Sequence, residues 1–177
     1  MNEFSPRQKA ARIKLLVLDI DGVLTDGRVV YDDSGREIKF FDIKDGHGLK
    51  LLQRAGYGIV LLSGRKSAAN RARAQELGIA ALIEDAKIKL PVLEKIMAQL
   101  KLQPEEVAYM GDDLIDLPPM RACGLAMAPA DAWDPVKQAA HWIASRPGGQ
   151  GAVREACEFL LKSSGKWDEV TERYFQN

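Results

Sequence analysis

Residues 15–27 read LLVLDIDGVLTDG, an apolar run that ends in two carboxylates separated by one residue. The first four residues are so apolar, and the run is so short, that they predict a β-strand buried on both faces. Gly22 provides the turn that such a strand needs at its end. We therefore expect Asp19 and Asp21 at the carboxyl end of a buried strand, where open α/β sheets bind their ligands.

Two carboxylates this close together allow two interpretations. Their mutual repulsion favours a bound cation, and Mg²⁺ is a hard ion that prefers oxygen ligands and accepts substrate phosphate beside them. Alternatively, Asp19 and Asp21 are a helix N-cap and a turn residue, which are both common places for aspartate. For an isolated pair of aspartates the second interpretation is favoured. The choice between the two therefore depends on motifs elsewhere in the chain.

The rest of the chain alternates predicted strands with predicted helices. This order is typical of an α/β fold with a Rossmann-like, doubly wound parallel sheet, here as a single domain over residues 1–177. A β-hairpin over residues 28–41 interrupts the alternation, and residues 163–177 form a mostly polar C-terminal tail. The later predicted strands are 58–62, 80–83, 107–110, 124–127 and 142–144, and the predicted helices are 48–55, 67–77, 87–100 and 152–162.

Composition and charge exclude several classes of function. The 177 residues carry 25 basic and 25 acidic side chains, whereas a protein that binds nucleic acid normally has a basic excess. No apolar run approaches the length of a membrane span, and residues 1–14 are charged, unlike a secretory leader. Cys123 and Cys157 lack metal-binding spacing and are predicted to be buried thiols. We expect a cytoplasmic globular protein that binds neither nucleic acid nor membranes.

Polar side chains follow three of the predicted buried strands. Because the carboxyl ends of parallel strands meet at one edge of a sheet, these side chains are expected to be neighbours. A lysine from the helix that begins near residue 87 can reach the same edge. Carboxylates, a hydroxyl and an ammonium around a metal are typical of phosphoryl transfer. The residues in question are Asp19, Asp21, Ser63, Asp112, Asp113 and Asp116.

The sequence resembles a known family. Residues 19–27, residues 63–65, a lysine and residues 111–116 resemble, in order, the four motifs of the haloacid dehalogenase superfamily of phosphatases. Residues 42–48 and 148–155 are similar to a subgroup without a cap domain that acts on sugar acid phosphates. The resemblance implies a Mg²⁺-dependent phosphatase that releases an eight-carbon sugar acid for lipopolysaccharide biosynthesis through an aspartyl-phosphate.

The resemblance also implies catalytic and metal-binding roles. Asp19 would be the nucleophile, and Asp21 would protonate the leaving sugar oxygen and then activate the attacking water. Asp19, the backbone carbonyl of Asp21 and Asp112 would bind Mg²⁺. Ser63 and Lys89 would hold the phosphoryl oxygens and balance their charge.

Two departures from the family pattern leave points open. Ile88 stands where the family usually has Asp or Asn, so Lys87 and Lys89 compete for the lysine role. Lys89 is preferred because Lys89-Leu90 matches the family's pair, and Lys87 is then a solvated residue of the first helical turn. Gln150 lies where some relatives have arginine, so no role is assigned to it, and the division of roles among Asp112, Asp113 and Asp116 stays open.

A wider set of residues is expected to recognise the substrate. Arg65 directly follows the second strand beside Ser63, and arginine binds carboxylates at two points, as a sugar acid requires. The remaining members come from the resemblance of residues 42–48 and from basic residues near the site. The predicted substrate-binding residues are Asp21, Asp42, Ile43, Lys44, Asp45, Gly46, Lys50, Arg65, Arg73 and Lys89.

The short spacing between the motifs leaves no room for a cap domain. An aspartyl-phosphate benefits from a sheltered site, so we expect a neighbouring subunit to supply the lid. The hairpin strands at residues 28–31 and 37–41 have free edges that favour pairing, and the resemblance implies a homotetramer.

Other functions fit parts of the same pattern. A phosphatase of a nine-carbon sugar acid 9-phosphate, as in sialic acid pathways, would share the motifs. A phosphomutase would need the cap that this chain lacks. An inactive regulatory or oligomerisation domain would have lost a carboxylate or the lysine, and all of these are present.

Overall fold

The computed structural model describes residues 4–176, so the ends of the predicted single domain at residues 1–3 and 177 lie outside the described residues. The strands of this part are β1 (Leu15–Leu18), β2 (Val30–Tyr31), β3 (Glu37–Ile38), β4 (Gly58–Leu62), β5 (Ala81–Ile83), β6 (Val107–Met110), β7 (Leu125–Ala128) and β8 (Trp142–Ile143). Six of them form one parallel sheet in the order β5-β4-β1-β6-β7-β8, and β2 pairs with β3 in an antiparallel hairpin.

Helices connect the strands and cover the sheet. Short 3-10 segments at Pro104–Glu106, Leu114–Asp116 and Glu172–Tyr174 complete the described chain. None of the helices within residues 4–176 combines the length and the apolarity that crossing a membrane requires. The helices are α1 (Pro6–Ala10), α2 (Ile43–Arg54), α3 (Ala68–Glu76), α4 (Lys89–Leu100), α5 (Leu117–Ala122), α6 (Asp134–Ala139), α7 (Ala152–Ser163) and α8 (Trp167–Thr171).

The strand predicted from the first apolar run lies at the centre of the sheet. Every residue of β1 is buried, and Leu15 lies beside Gly58 of β4 and Val107 of β6. The alternation of side chains places Leu16 in one apolar core and Leu15 in the other. Helices α1, α2, α3 and α7 pack on the first core, and α4, α5 and α6 pack on the second. The doubly wound parallel α/β fold is therefore confirmed.

The hairpin is present, but its strands are shorter than predicted. Only two residue pairs form its ladder, Val30 with Ile38 and Tyr31 with Glu37. The turn is held by the Asp32 carboxylate, which accepts the backbone N–H groups of Ser34 and Arg36 at 2.9 Å each. A ladder this short depends on contacts outside the hairpin for its position.

The predicted helix over residues 48–55 begins five residues too late. Helix α2 begins at Ile43, and the Asp42 carboxylate caps it by accepting the N–H of Lys44 at 2.6 Å. Gly46 and Gly48 lower the helical propensity of the first turns, which hid the true start of the helix in the sequence. The segment that resembles the sugar acid phosphatases is thus helical.

The predicted polar tail is largely folded. Helix α8 lies within it, and Val170 is buried against the core that includes α7. Lys166 anchors the segment by donating from Nζ to the carbonyl of Ala55 at 2.9 Å. Polar composition concealed this packing, because only a few apolar residues of the tail face inward. The short helices α5 and α6 were not predicted, and each has proline in its first turn.

Candidate active site

The ends of β1, β4 and β6 bring the predicted catalytic residues to one edge of the sheet. Because β1 and β4 are paired in register, Asp19 after β1 lies close to Ser63 after β4. Asp112 follows β6 on the other side of β1. Ser63 is completely buried, and its backbone N–H donates to Ile83 of β5 at 2.9 Å. The expected convergence of strand ends is therefore observed.

The loop after β1 can form only with glycine at its turn. Gly22 has φ +92°, and a Cβ atom at this position would overlap the carboxylate of Asp112. Thr25 fixes the loop, since its Oγ1 accepts the N–H groups of Gly22 and Gly27 at 3.3 Å each. The turn predicted from the sequence thus also makes space for the second acidic motif.

The glycine-rich segment before α7 packs behind this loop. A Cβ atom on Gly148 would overlap the backbone carbonyl of Gly22, and Gly149 donates its N–H to the carbonyl of Val23 at 3.0 Å. The segment at residues 148–155, which is similar to the sugar acid phosphatases, therefore supports the loop that carries Asp21. Gln150 is exposed, and its backbone N–H bonds to Pro147.

Lys89 is the central cation of the site. It begins α4, and its completely buried side chain places Nζ 2.7 Å from Oδ1 of Asp19 and 2.7 Å from Oδ1 of Asp116. Lys87 instead precedes the helix, with 74% of its side chain exposed. The geometry therefore places Lys89, and not Lys87, among the strand-end carboxylates. Ile88 gives α4 no side-chain cap.

The three carboxylates of the last motif have different positions. Asp116 is completely buried and accepts the Tyr109 hydroxyl at 2.6 Å, in addition to Lys89. Its Oδ2 also accepts the backbone N–H groups of Asp112 at 3.1 Å and Asp113 at 3.3 Å. Asp113 caps the following 3-10 turn. Asp116 therefore shapes the loop, whereas the Asp112 carboxylate lies against Gly22.

The electrostatics of the site call for another positive charge. Burial raises the pKa of Asp19 to about 7, and the Asp116 carboxylate adds to this effect while Lys89 opposes it. Burial also raises the pKa of Asp112 to about 8, with repulsion from Asp19 and Asp116 contributing. Burial alone would lower the pKa of Lys89, but these two carboxylates outweigh it and raise that pKa. One ammonium does not compensate three buried or half-buried carboxylates.

The donor set fits Mg²⁺. One oxygen from each of Asp19, Asp112 and Asp116 lies within 4.8 Å of the others, and carboxylate oxygens are the ligands that Mg²⁺ prefers. The side chain of Asp21 is not in this group, and its Oδ1 accepts a hydrogen bond from Lys39. The contribution of the Asp21 backbone carbonyl to the metal, which the family resemblance implies, stays a prediction.

A chain of ion pairs on the hairpin side was not predicted from the sequence. Lys39 Nζ lies 2.5 Å from Oδ1 of Asp21 and 3.8 Å from Oε2 of Glu37, and the guanidinium of Arg65 pairs with the other oxygen of Glu37. Only 2% of the Lys39 side chain is exposed. The signal was present, because the alternation of a strand puts Glu37 and Lys39 on the same face.

A cleft of about 220 Å³ opens above these residues. Arg65 lies in its wall, beside residues that follow β1, β4 and β6. The cleft is lined by Asp19, Asp21, Gly27, Gly64, Arg65, Asp112, Asp113 and Ile115.

The other predicted substrate-binding residues do not line this cleft within one chain. Asp45 is buried and accepts the N–H of Arg154 at 2.7 Å, which ties α2 to α7, and burial raises its pKa to about 6. Lys50 donates to the carbonyl of Leu77 at 2.6 Å. The remaining members have these positions: Arg73 donates to the carbonyl of Asp42 at 3.0 Å, Gly46 packs on Arg73, and Ile43 and Lys44 are exposed.

Known proteins share this architecture. The model of haloacid dehalogenase-like hydrolases matches residues 42–124. The 3-deoxy-D-manno-octulosonate 8-phosphate phosphatase of Yersinia pestis is 40% identical over 93% of this chain and 88% of its own length. The enzyme of the same name from Escherichia coli K12 is 40% identical over 92% of this chain and 86% of its own length.

A solved structure extends the comparison to three dimensions. The 3-deoxy-D-manno-octulosonate 8-phosphate phosphatase of Moraxella catarrhalis, in complex with magnesium ion, phosphate ion and KDO, is similar with a TM-score of 0.93. It is 37% identical, and the match covers 97% of this chain and 98% of that chain. This chain belongs to the haloacid dehalogenase-like hydrolase family.

Proposed function

We propose that this protein is a phosphoric monoester hydrolase that converts 3-deoxy-D-manno-octulosonate 8-phosphate to the free sugar acid and phosphate. The main support is the burial of Lys89 between Asp19 and Asp116 at the strand edge, in a chain 40% identical to phosphatases of that name. The product would enter lipopolysaccharide biosynthesis. A nine-carbon sugar acid phosphate is not favoured by these relatives, and every catalytic carboxylate is present, which argues against an inactive regulatory domain.

The reaction divides between attack and proton transfer. An oxygen of Asp19 attacks phosphorus, so that an aspartyl-phosphate forms as the bond to the sugar oxygen breaks. Asp21 gives a proton to the departing oxygen and later takes one from the water that hydrolyses the intermediate. Ser63 and Lys89 hold the phosphoryl oxygens. Mg²⁺, when bound, supplies positive charge against the same oxygens.

The metal would be held by the carboxylates of Asp19 and Asp112 and by the backbone carbonyl of Asp21. Asp116 already accepts hydrogen bonds from Lys89, Tyr109 and two backbone N–H groups. It therefore has little capacity left for an ion. Its role is to orient Lys89 and the loop that carries Asp112.

Recognition of the sugar acid would begin with Arg65, whose side chain is 40% exposed at the wall of the cleft. A small open cleft does not enclose an eight-carbon substrate. We infer that a homotetramer completes each site, with Asp42, Ile43 and Lys44 contacting substrate from a neighbouring subunit. The exposed position of Ile43 and Lys44 supports this arrangement.

The protein would act in the cytoplasm. Cys123 and Cys157 are buried free thiols, which are common in proteins of reducing compartments. The substrate would be a small phosphorylated sugar acid, and the even balance of charge, 25 basic to 25 acidic residues, does not favour nucleic acid as a partner.

The substrate assignment is tested by phosphate release with Mg²⁺ from eight-carbon and nine-carbon sugar acid phosphates. We expect kcat/KM to favour the eight-carbon substrate by at least about tenfold, since pockets discriminate between such homologues by this order. Asp19→Asn should lower phosphate release by at least about a thousandfold, because the amide cannot attack phosphorus. A preference for the nine-carbon substrate would contradict the assignment, and unfolding curves should show that Asp19→Asn remains folded.

Asp112→Asn should remove the stabilisation of the fold by Mg²⁺. The raised pKa of Asp112, about 8, means that its ionised form is disfavoured in the folded protein. Without metal, the protonated Asp112 carboxyl group therefore contributes fully to the free energy of unfolding at acid pH. This contribution is lost as the pH rises through about 8. Thermal unfolding in EDTA at pH 8.5 should give a melting temperature for the variant that is about 2–4 °C higher than that of the parent. Added Mg²⁺ should raise the melting temperature of the parent but not that of Asp112→Asn.

Asp113→Asn is the matched control, because this carboxylate caps a 3-10 turn next to the site. Its melting temperature should still rise with Mg²⁺. A Mg²⁺-dependent rise in Asp112→Asn equal to that of the parent would exclude Asp112 as a ligand.

Lys89→Met and Lys87→Met form a second matched pair. Loss of the Lys89 ammonium should lower kcat by about 10²–10³-fold, as loss of a charged stabilising group in a buried site does. It should also lower the melting temperature, because Asp19 and Asp116 lose their shared partner. Lys87→Met removes an exposed side chain and should retain activity within about twofold. Equal losses in the two variants would mean that the wrong lysine is assigned.

Assembly and catalysis should be coupled. The hairpin exposes 49% of Val29 and 68% of Phe40, so replacing both with Asp should place unpaired carboxylates in the subunit contact and dissociate it. Light scattering with gel filtration should show folded monomers with reduced kcat/KM for the sugar acid phosphate. Phe175→Asp, at an exposed site outside the hairpin, is the control and should remain assembled. Fully active monomers would contradict a lid from another subunit.

A further inference from the structure

The side chain of Lys39 is buried although it belongs to neither apolar core. Lys39 follows β3, beyond the hairpin's two-pair ladder, and only 2% of its side chain is exposed. Its Nζ lies 2.5 Å from Oδ1 of Asp21, the residue with 28% of its side chain exposed in the cleft wall. Burial of an ammonium is unfavourable unless carboxylates compensate it. Here the charge of the Lys39 ammonium is compensated by Asp21, the proposed proton donor of the reaction.

A second carboxylate holds Lys39 from the hairpin. Oε2 of Glu37 lies 3.8 Å from Nζ, and Oε1 of the same residue pairs with Arg65. Charges therefore alternate from Asp21 through Lys39 and Glu37 to Arg65, and the four sum to zero. The ammonium is fixed at two points and lies beside the cleft without lining it.

We propose that Lys39 is a positioning residue that holds the Asp21 carboxyl group in the orientation needed for proton transfer to the leaving oxygen. This rests on the proposed phosphatase function. Because the hydrogen bond from Lys39 engages Oδ1, the second oxygen of Asp21 carries the transferred proton. That proton moves to the sugar oxygen as its bond to phosphorus breaks and the bond from Asp19 to phosphorus forms.

A purely structural role for Lys39 makes a different prediction. If Lys39 only anchored the short hairpin, its loss would affect all substrates alike. If it positions the proton donor, its loss affects only substrates whose leaving group needs a proton. An alkoxide leaves poorly without one, whereas p-nitrophenolate leaves unprotonated. The dependence on leaving group therefore separates the two roles.

The experiment compares Lys39→Met with the parent on p-nitrophenyl phosphate, phenyl phosphate and glycerol phosphate, each with saturating Mg²⁺. The measured quantity is kcat/KM, because it includes steps only as far as release of the alcohol and not the later attack of water. We expect a loss of less than about threefold on p-nitrophenyl phosphate and of about 10²-fold or more on glycerol phosphate, the usual range for general acid catalysis. Phenyl phosphate should fall between them.

Three further single variants and one double variant make the test specific. Lys39→Arg keeps a charged donor and should recover part of the activity on glycerol phosphate. Lys66→Met, which removes a 69% exposed lysine paired with Asp85, should change no substrate by more than about twofold. Asp21→Asn should show the same dependence on leaving group, and adding Lys39→Met to it should cause little further loss, because the two residues act as a unit.

Equal losses of kcat/KM on all three substrates, or losses that add fully in the double variant, would overturn the role of Lys39. Circular dichroism and melting temperatures identify variants that fail to fold, and Lys39→Arg then provides the comparison. None of the three substrates is a sugar acid, so failure of the substrate assignment is a separate result. If the parent hydrolysed none of them and no sugar acid phosphate, the phosphatase function and the role of Lys39 would fail together.

Discussion

The site depends on one ammonium buried between two carboxylates. Lys89 connects α4 to the end of β1 through Asp19 and to the loop after β6 through Asp116. An unpaired charge at this depth would be strongly unfavourable, so the three groups determine one another's positions. Tyr109 and two backbone N–H groups satisfy the remaining acceptor capacity of Asp116. The result is a strand edge at which Asp19, Asp21 and Asp112 line the cleft, while Asp116 is fully engaged within the protein.

The backbone around this edge is supported from a distant part of the chain. The loop after β1 approaches Asp112 so closely that Gly22 cannot carry a side chain, and Gly148 backs the same loop with an equally close approach. Asp45 in turn ties the start of α7 to α2 through the N–H of Arg154. These contacts explain why short glycine-rich segments far apart in sequence belong to one site. They also give buried Asp45 a packing role within its own chain.

Much of the fold and the inner site could be predicted from the sequence, because both follow from strand ends. Apolar runs ending in Asp19, Ser63 and Asp112 are enough to place these side chains together once the sheet is parallel. Contacts made across the chain could not be predicted in this way. The hydrogen bond between Lys39 and Asp21 depends on how the hairpin folds over the sheet. The sequence around either residue does not predict that arrangement. Likewise, polar composition hid the packing of α8, and glycines hid the start of α2.

The hairpin contacts the site on one side and exposes apolar side chains on the other. Its inner face carries Glu37 and Lys39, which contact Arg65 and Asp21, while its outer side exposes apolar groups such as Phe40. A two-pair ladder contributes little stability of its own. A contact on one side of the hairpin therefore influences the position of the residues on its other side. A subunit that covered the apolar side would hold Lys39 more firmly against the cleft. Such a contact would both shelter the site and orient Asp21 through the same short hairpin.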